Sequence, residues 1–221
     1  MDIKACCGIR GRFRKLAFSG SSAGCFVSVL ACAAWRKIRP KAFLSLWGMV
    51  NTTDTWYCTK KQDDAVVMFL PLSKLEDKNY IALLEPGKPR VWDDRTPPTD
   101  LSSRGAFFFW LLKEGVLSVI SLIFMESQGN CSFNGLYQPT GKEKLLDLVT
   151  SSFPPTVCVH GSADSVAPVS DSHAMVDALK KVGVKAELIE IAGADHGILP
   201  QERYLEYFEK SVEFLERCTQ G

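Results

Sequence analysis

FSGSSAGCF, Phe18–Phe26, is the stretch on which the reading of this 221-residue chain turns. Three serines lie there between the short apolar run Leu16-Ala17-Phe18 and an unbroken small-and-apolar stretch, AGCFVSVLACAAW, Ala23–Trp35. The first run reads as a strand; the second has helical length and is closed by Arg36, Lys37 and Pro40. Strand, tight turn and buried helix follow in that order. Of the three serines, Ser22 alone has a glycine two residues away on each side, Gly20 and Gly24, in the spacing G-x-S-x-G. A nucleophile on so sharp a turn needs small neighbours so that strand and helix can close on each other. At the helix N-terminus an oxyanion would be favoured by the dipole and by the N–H of Ala23. Ser19 and Ser21 lack this register and read as turn and packing residues.

Outward from the turn, Ala42–Leu46 (AFLSL) reads as a second buried strand and Thr156–His160 (TVCVH) as a third. An amphipathic helix over Ser170–Val182, a fourth strand over Lys185–Ile191 and a last amphipathic helix from about Gln201 to Cys218 complete the series. Strands alternating with helices imply a parallel sheet covered on both faces. The stretch from Trp47 to Pro155 is too long for one crossover, which needs about thirty residues, so residues of about 51–150 read as an insertion within one 1–221 domain. It holds Trp56, Tyr57, Trp92, Phe107–Trp110 and Pro97-Pro98, with Trp47 at its start. Two readings of these aromatics stand side by side. They form a lid-like cap over the carboxyl ends of the strands, where ligands of open α/β sheets bind, or they fill the insertion's own small core.

A serine needs a base, and the chain offers three histidines. His160 ends the third strand and His173 lies within a helix, where packing and surface roles are expected. His196 stands in GADHGI, between the fourth strand and the last helix, with Gly193 and Gly197 beside it to let a loop project over a sheet edge. The base needs an orienting carboxylate, and Asp164 in HGSADSVAP follows the third strand, so it would arrive at the same edge as Ser22. Asp195 is adjacent to His196 and badly placed to reach its ring; Asp171 is expected to cap or begin a helix.

Composition narrows the function classes. Hydrophobic residues at 46% and charged residues at 23% describe a chain that folds. The net charge of +1, with one short basic run at Arg10, Arg12, Arg14 and Lys15, argues against a nucleic-acid partner. The most apolar stretch, Gly105–Phe124, is interrupted by Lys113 and Glu114, and no signal-peptide h-region is seen, so neither export nor a membrane span is expected and a cytoplasmic location is. The eight cysteines have no metal-ligand spacing and read mostly as buried thiols. A redox role for Cys6-Cys7 lacks the usual motif. No cofactor motif is present; oligomeric state is left open.

With SGSSAG around Ser22, HGSADSVAP around Asp164 and GADHG around His196, in the chain order serine, aspartate, histidine, the sequence resembles the α/β-hydrolases. It is similar to the fold-3 esterases and to the catalytic domain of prolyl-oligopeptidase-type serine peptidases, from about Leu16 onward. The resemblance implies a partial α/β-hydrolase fold, a Ser22–His196–Asp164 triad with Ala23 N–H as oxyanion donor, and an ester or peptide as substrate. It also marks departures. Such proteins lead into the elbow through further strands and a glycine-rich HGG loop, and Met1–Lys15 contains no such loop. The elbow strand is therefore expected at an exposed sheet edge, without a second oxyanion donor, whose loss would cost about 2.7–4 kcal/mol in the transition state. Cys25 stands where many relatives have another glycine. A catalytically silent truncated homologue or binding module is the competing expectation.

Overall fold

The structure, a computed structural model, describes residues 16–34, 39–81, 101, 104–117, 144–197 and 204–220. The basic run, Cys6-Cys7, Cys131, Trp92, Pro97-Pro98, the end of the first helix at Trp35 and the start of the last at Gln201 lie outside the described residues. The chain divides into two compact units, one made of residues 1–51 and 124–221, the other of residues 52–123.

The first unit is built from β1 (Ala17–Ser21), α1 (Ala23–Ala34), β2 (Ala42–Leu46), β3 (Thr156–Gly161), α2 (Ser170–Lys181), β4 (Ala186–Ile191) and α3 (Tyr204–Thr219). The four strands are parallel and lie in the order β1-β2-β3-β4. Ser21 pairs with Leu46, Leu46 with Val159 and Val159 with Ile189, so the turns after β1, β3 and β4 leave from one edge of the sheet. The apolar runs explain this arrangement. β3 is buried along its whole length and β2 nearly so, as strands covered on both faces must be.

Period-two alternation then sorts the side chains between two cores. Phe43 and Cys158 pack with Cys25, Val29 and Cys32 of α1 and with Met175, Val176 and Leu179 of α2. Leu44, Val157 and Val159 pack on the other face with Tyr207 and Phe214 of α3. Leu145, Val149 and Phe153, late in the long stretch between β2 and β3, belong to the first of these cores. Among the described residues β1 has β2 as its one neighbour and is only half-buried, and Val27 on α1 is exposed.

The second unit holds the short helices Thr55–Cys58 and Asp77–Tyr80, an antiparallel pair Val66–Val67 with Leu70–Pro71, and the helix Arg104–Lys113. Its aromatics stack on one another: Tyr80 on Trp110 at 5.7 Å and Phe107 on Trp110 at 6.0 Å between ring centres. Trp110 Nε1 donates to Asp77 Oδ1 at 3.0 Å, the partner that a half-polar indole needs. Lys113, nearly buried, ends in an ion pair with Asp63 and a hydrogen bond to Leu75 O. Among the described residues no helix is long and apolar enough to cross a membrane.

Candidate active site

Ser22 stands between the last residue of β1 and the first of α1 with φ of 50°, in the left-handed region that few residues other than glycine adopt. Three backbone hydrogen bonds hold it there. Its N–H donates to Leu46 O at 2.9 Å, and its carbonyl accepts from Cys25 N at 3.0 Å and Met49 N at 3.2 Å. A Cβ on Gly20 would lie 2.8 Å from Gly24 O and 2.9 Å from Cys25 Cα, so the close approach of strand and helix depends on that glycine. A Cβ on Gly24 would meet nothing within 4 Å. The steric demand read from the sequence for both glycines therefore falls on Gly20. Cys25 packs beneath the turn, donating its thiol to Gly20 O at 2.9 Å and accepting from Ser45 Oγ at 3.3 Å. Burial pushes that thiol up to about 11 and the thiols of Cys32 and Cys158 to about 12, so all three are inert packing groups at neutral pH. Cys58 is exposed.

His196 and Asp164 reach Ser22 from the turns after β4 and β3. His196 Nε2 is 2.9 Å from Ser22 Oγ, and His196 Nδ1 is 2.8 Å from Asp164 Oδ2. Both partners of the serine are nearly buried. The other carboxylate oxygen of Asp164 accepts from Val166 N at 2.9 Å and Ala167 N at 2.8 Å. Burial alone would raise the Asp164 carboxyl, but hydrogen bonds from His160 and His196, the His196 charge and the Ala167 N–H outweigh it and hold the group down at about 2. An ionised Asp164 requires the hydrogen of a neutral His196 to sit on Nδ1, which leaves the Nε2 lone pair facing the Ser22 hydroxyl. That is the orientation in which a serine can give up its proton. Ala23 opens α1, so its N–H is one of the four with no acceptor within the helix.

The two loops are fastened to each other rather than placed independently. Ser162 N donates to Ile191 O, Ala163 N to Ala194 O, and Gly193 N to Ser162 Oγ. Asp195 does not touch the His196 ring; its Oδ1 accepts from Ser165 N and Ser165 Oγ, both at 2.8 Å, and from the N–H of His196 at 2.7 Å. It is a clamp between the loops. Gly161 permits the contact, because a Cβ there would lie 2.7 Å from the carbonyl carbon of Ala194.

Trp47 departs from its sequence reading, and Asp171, His160 and Asp195 make contacts that the reading did not foresee. Trp47, grouped with the insertion's aromatics, belongs to the sheet unit; it follows β2 with φ of 39°, and its ring meets that of His196 edge to face at 6.4 Å. Asp171 stands in the first turn of α2 but does not cap it, the N-cap being Val169; its buried carboxylate accepts from Val50 N at 2.9 Å and Asn51 N at 3.1 Å. His160 is fully buried, as a packing role requires, yet its Nε2 lies 3.2 Å from Asp164 Oδ2. Asp195, as read, is not on the ring, and its role in joining the loops is what the reading did not foresee. His173 is on the surface beside Glu190, in accord with its reading. The spacing of four residues between His160 and Asp164, across Gly161, was the signal that could have found the His160 contact.

Residues 137–221 match the Prolyl oligopeptidase family, a span that includes Asp164 and His196 but not Ser22. A 55-residue stretch is 38% identical to an isoprenylcysteine α-carbonyl methylesterase of Arabidopsis thaliana, covering 25% of this chain and 13% of that protein. The structure of a puromycin-hydrolysing peptidase of Mycobacterium tuberculosis superposes with a TM-score of 0.54 at 16% identity, over 98% of this chain and 23% of that one. The chain has a partial α/β-hydrolase fold. A sugar hydrolase of Lactococcus lactis superposes less closely, with a TM-score of 0.46 at 15% identity over 93% of this chain and 62% of that one. The matched stretch spans 13% of the methylesterase, and this chain spans 23% of the peptidase.

Proposed function

We propose that the protein is a serine hydrolase of carboxylic esters, with Ser22 as nucleophile, His196 as general base and acid, and Asp164 as the carboxylate that orients the imidazole. The observation that carries the reading is the unbroken series Ser22 Oγ, His196 Nε2, His196 Nδ1, Asp164 Oδ2, at 2.9 Å and 2.8 Å. Ser22 Oγ attacks the acyl carbon while its proton passes to His196 Nε2. The Ala23 N–H donates to the oxyanion of the tetrahedral adduct. As that adduct collapses, the ester C–O bond breaks, the proton goes from His196 to the leaving alcohol, and the acyl group stays on Ser22. Water, deprotonated by His196, then releases the acid. Asp164 remains charged throughout and keeps the imidazolium in place.

An ester substrate is supported by the matched stretch of the methylesterase. A serine-type peptidase is the second reading, favoured by the match of residues 137–221 to the Prolyl oligopeptidase family. The test pairs a fluorophosphonate probe with turnover of nitrophenyl esters and of a peptide anilide. Labelling that disappears in Ser22→Ala, together with ester turnover, is the expected result. Equal labelling of wild type and Ser22→Ala removes Ser22 from the reading, and a chain that binds substrate analogues without turnover is a silent homologue.

A further inference from the structure

One oxygen of Asp164 lies between two imidazoles. His196 Nδ1 is 2.8 Å from Asp164 Oδ2, and on the other side His160 Nε2 is 3.2 Å from it. The proton path proposed above uses the first ring and leaves the second unexplained. We propose that His160 is a positioning residue for the reacting imidazole, its Nε2–H holding the same carboxylate oxygen that orients His196. The proposal rests on the reading of Ser22, His196 and Asp164 as a proton relay.

The protonation of His160 follows from its neighbours. Nε2 faces Asp164 Oδ2 and, at 2.9 Å, the carbonyl of Ala167. An ionised carboxylate and a carbonyl can only accept, so the hydrogen is on Nε2 and is shared between them. Nδ1 lies 2.7 Å from Ser172 Oγ, and the hydroxyl, which can donate or accept, completes the ring's partners. His160, Ser172 and the Asp164 side chain are all essentially buried, so water does not compete for these bonds.

The consequence for Asp164 is geometric and electrostatic. Val166 N and Ala167 N fill one oxygen; His196 and His160 fill the other. Four donors saturate a carboxylate, so it cannot turn away from His196. Its pull on the His196 proton is also divided between two rings. Released from His160, the carboxylate would bind the His196 imidazolium more tightly and keep the base protonated to higher pH. Among the described residues, the neighbouring titratable groups have other partners. Asp195 is bonded to Ser165 and to the His196 N–H, Asp171 is turned to Val50 and Asn51, and Cys158 borders Ser172 with its thiol protonated.

The test compares wild type, His160→Gln and His160→Leu, with Ser22→Ala as control. A glutamine amide nitrogen can occupy the place of Nε2 and donate to the same two acceptors; leucine fills the space without a donor. Two readouts are taken on the whole chain: the downfield proton resonance of His196 Nδ1–H, and the pH dependence of fluorophosphonate labelling. His160→Gln is expected to keep the resonance, the acid limb of the pH profile and a labelling rate within about threefold of wild type. His160→Leu is expected to label about ten- to a hundredfold more slowly, the effect of one hydrogen bond to a charged acceptor. Its resonance should move, and its acid limb should shift to higher pH.

A folded leucine variant with wild-type rate, limb and resonance overturns the proposal, and so does a folded glutamine variant that falls as far as leucine. Should the leucine variant fail to fold, the glutamine variant decides by the same readouts. Failure of the hydrolase reading looks different: Ser22→Ala then labels as fast as wild type, while the resonance still reports whether His160 holds Asp164 against His196.

Discussion

Gly161→Ala tests the way the two loops are joined. Gly161 ends β3, three residues before Asp164, and a methyl group there would lie 2.7 Å from the carbonyl carbon of Ala194, closer still to its oxygen, and 3.1 Å from the Ala194 Cβ. Two of those three atoms are backbone, so no side chain can rotate aside. Bringing the carbonyl carbon out to an ordinary 3.4 Å requires the loops to part by about 0.7 Å, and the oxygen demands more. Ala194 is two residues from His196, and the bonds Ala163 N to Ala194 O and Ser165 to Asp195 would transmit the displacement to the ring. Overpacking of this kind costs about 1–3 kcal/mol of stability. A displacement near 1 Å at a reacting group lowers rate by up to about a hundredfold. The assay is urea unfolding beside the second-order rate of fluorophosphonate labelling. The expected result is a loss in both, with labelling slowed at least about tenfold. A folded Gly161→Ala chain that labels at the wild-type rate and loses less than about 0.5 kcal/mol would refute the contact as the feature that sets the loop spacing.

Two further outcomes follow from the side chains around the site. The Asp164 carboxyl titrates at about 2 in the fold against an ordinary 3.8. A depressed carboxyl stabilises the fold above its unfolded value and loses that contribution as pH falls through the folded one. Wild type should therefore lose about 2 kcal/mol between about pH 5 and pH 2 that Asp164→Asn does not lose. A stability difference between the two chains that is constant across this range, measured by urea titration, would contradict it. For the thiols, alkylation mapped by mass spectrometry should modify Cys58 in the native protein and reach Cys25, Cys32 and Cys158 only on unfolding. Their folded values, about 11, 12 and 12, stand above the ordinary 9.0. The stability they confer is complete below pH 9 and is lost as pH rises through those values. Native modification of Cys25 at neutral pH would show that the turn above it opens.

Much of the sheet was legible because its signals are local. AFLSL and TVCVH are apolar runs of strand length, and they form strands at Ala42–Leu46 and Thr156–Gly161; the amphipathic stretch from Ser170 forms α2 through Lys181. Ser22, Asp164 and His196 were legible as candidates for a related reason. Each follows a strand, and in a parallel sheet the turns after the strands share one edge. Asp171 lies in the first turn of α2, where the sequence put it, but its carboxylate does not cap the helix because it accepts from Val50 and Asn51, some 120 residues away along the chain. Trp47 was misgrouped because nothing local to it announces that its ring ends beside His196.

By itself, then, the sequence determined the order of strands and helices, the turn that carries Ser22, and the three residue types that could share a proton. Periodicity, small residues and chain order are properties of neighbours, and neighbours are what a sequence displays. The tertiary structure alone decided how those residues are held: Gly161 against Ala194, Asp195 between two loops, and His160 on the same oxygen of Asp164 as His196. The first two are distances across the fold, set where loops some thirty residues apart approach each other, and no local pattern encodes that approach. The third joins residues four apart, and only the fold shows that both are buried against one another.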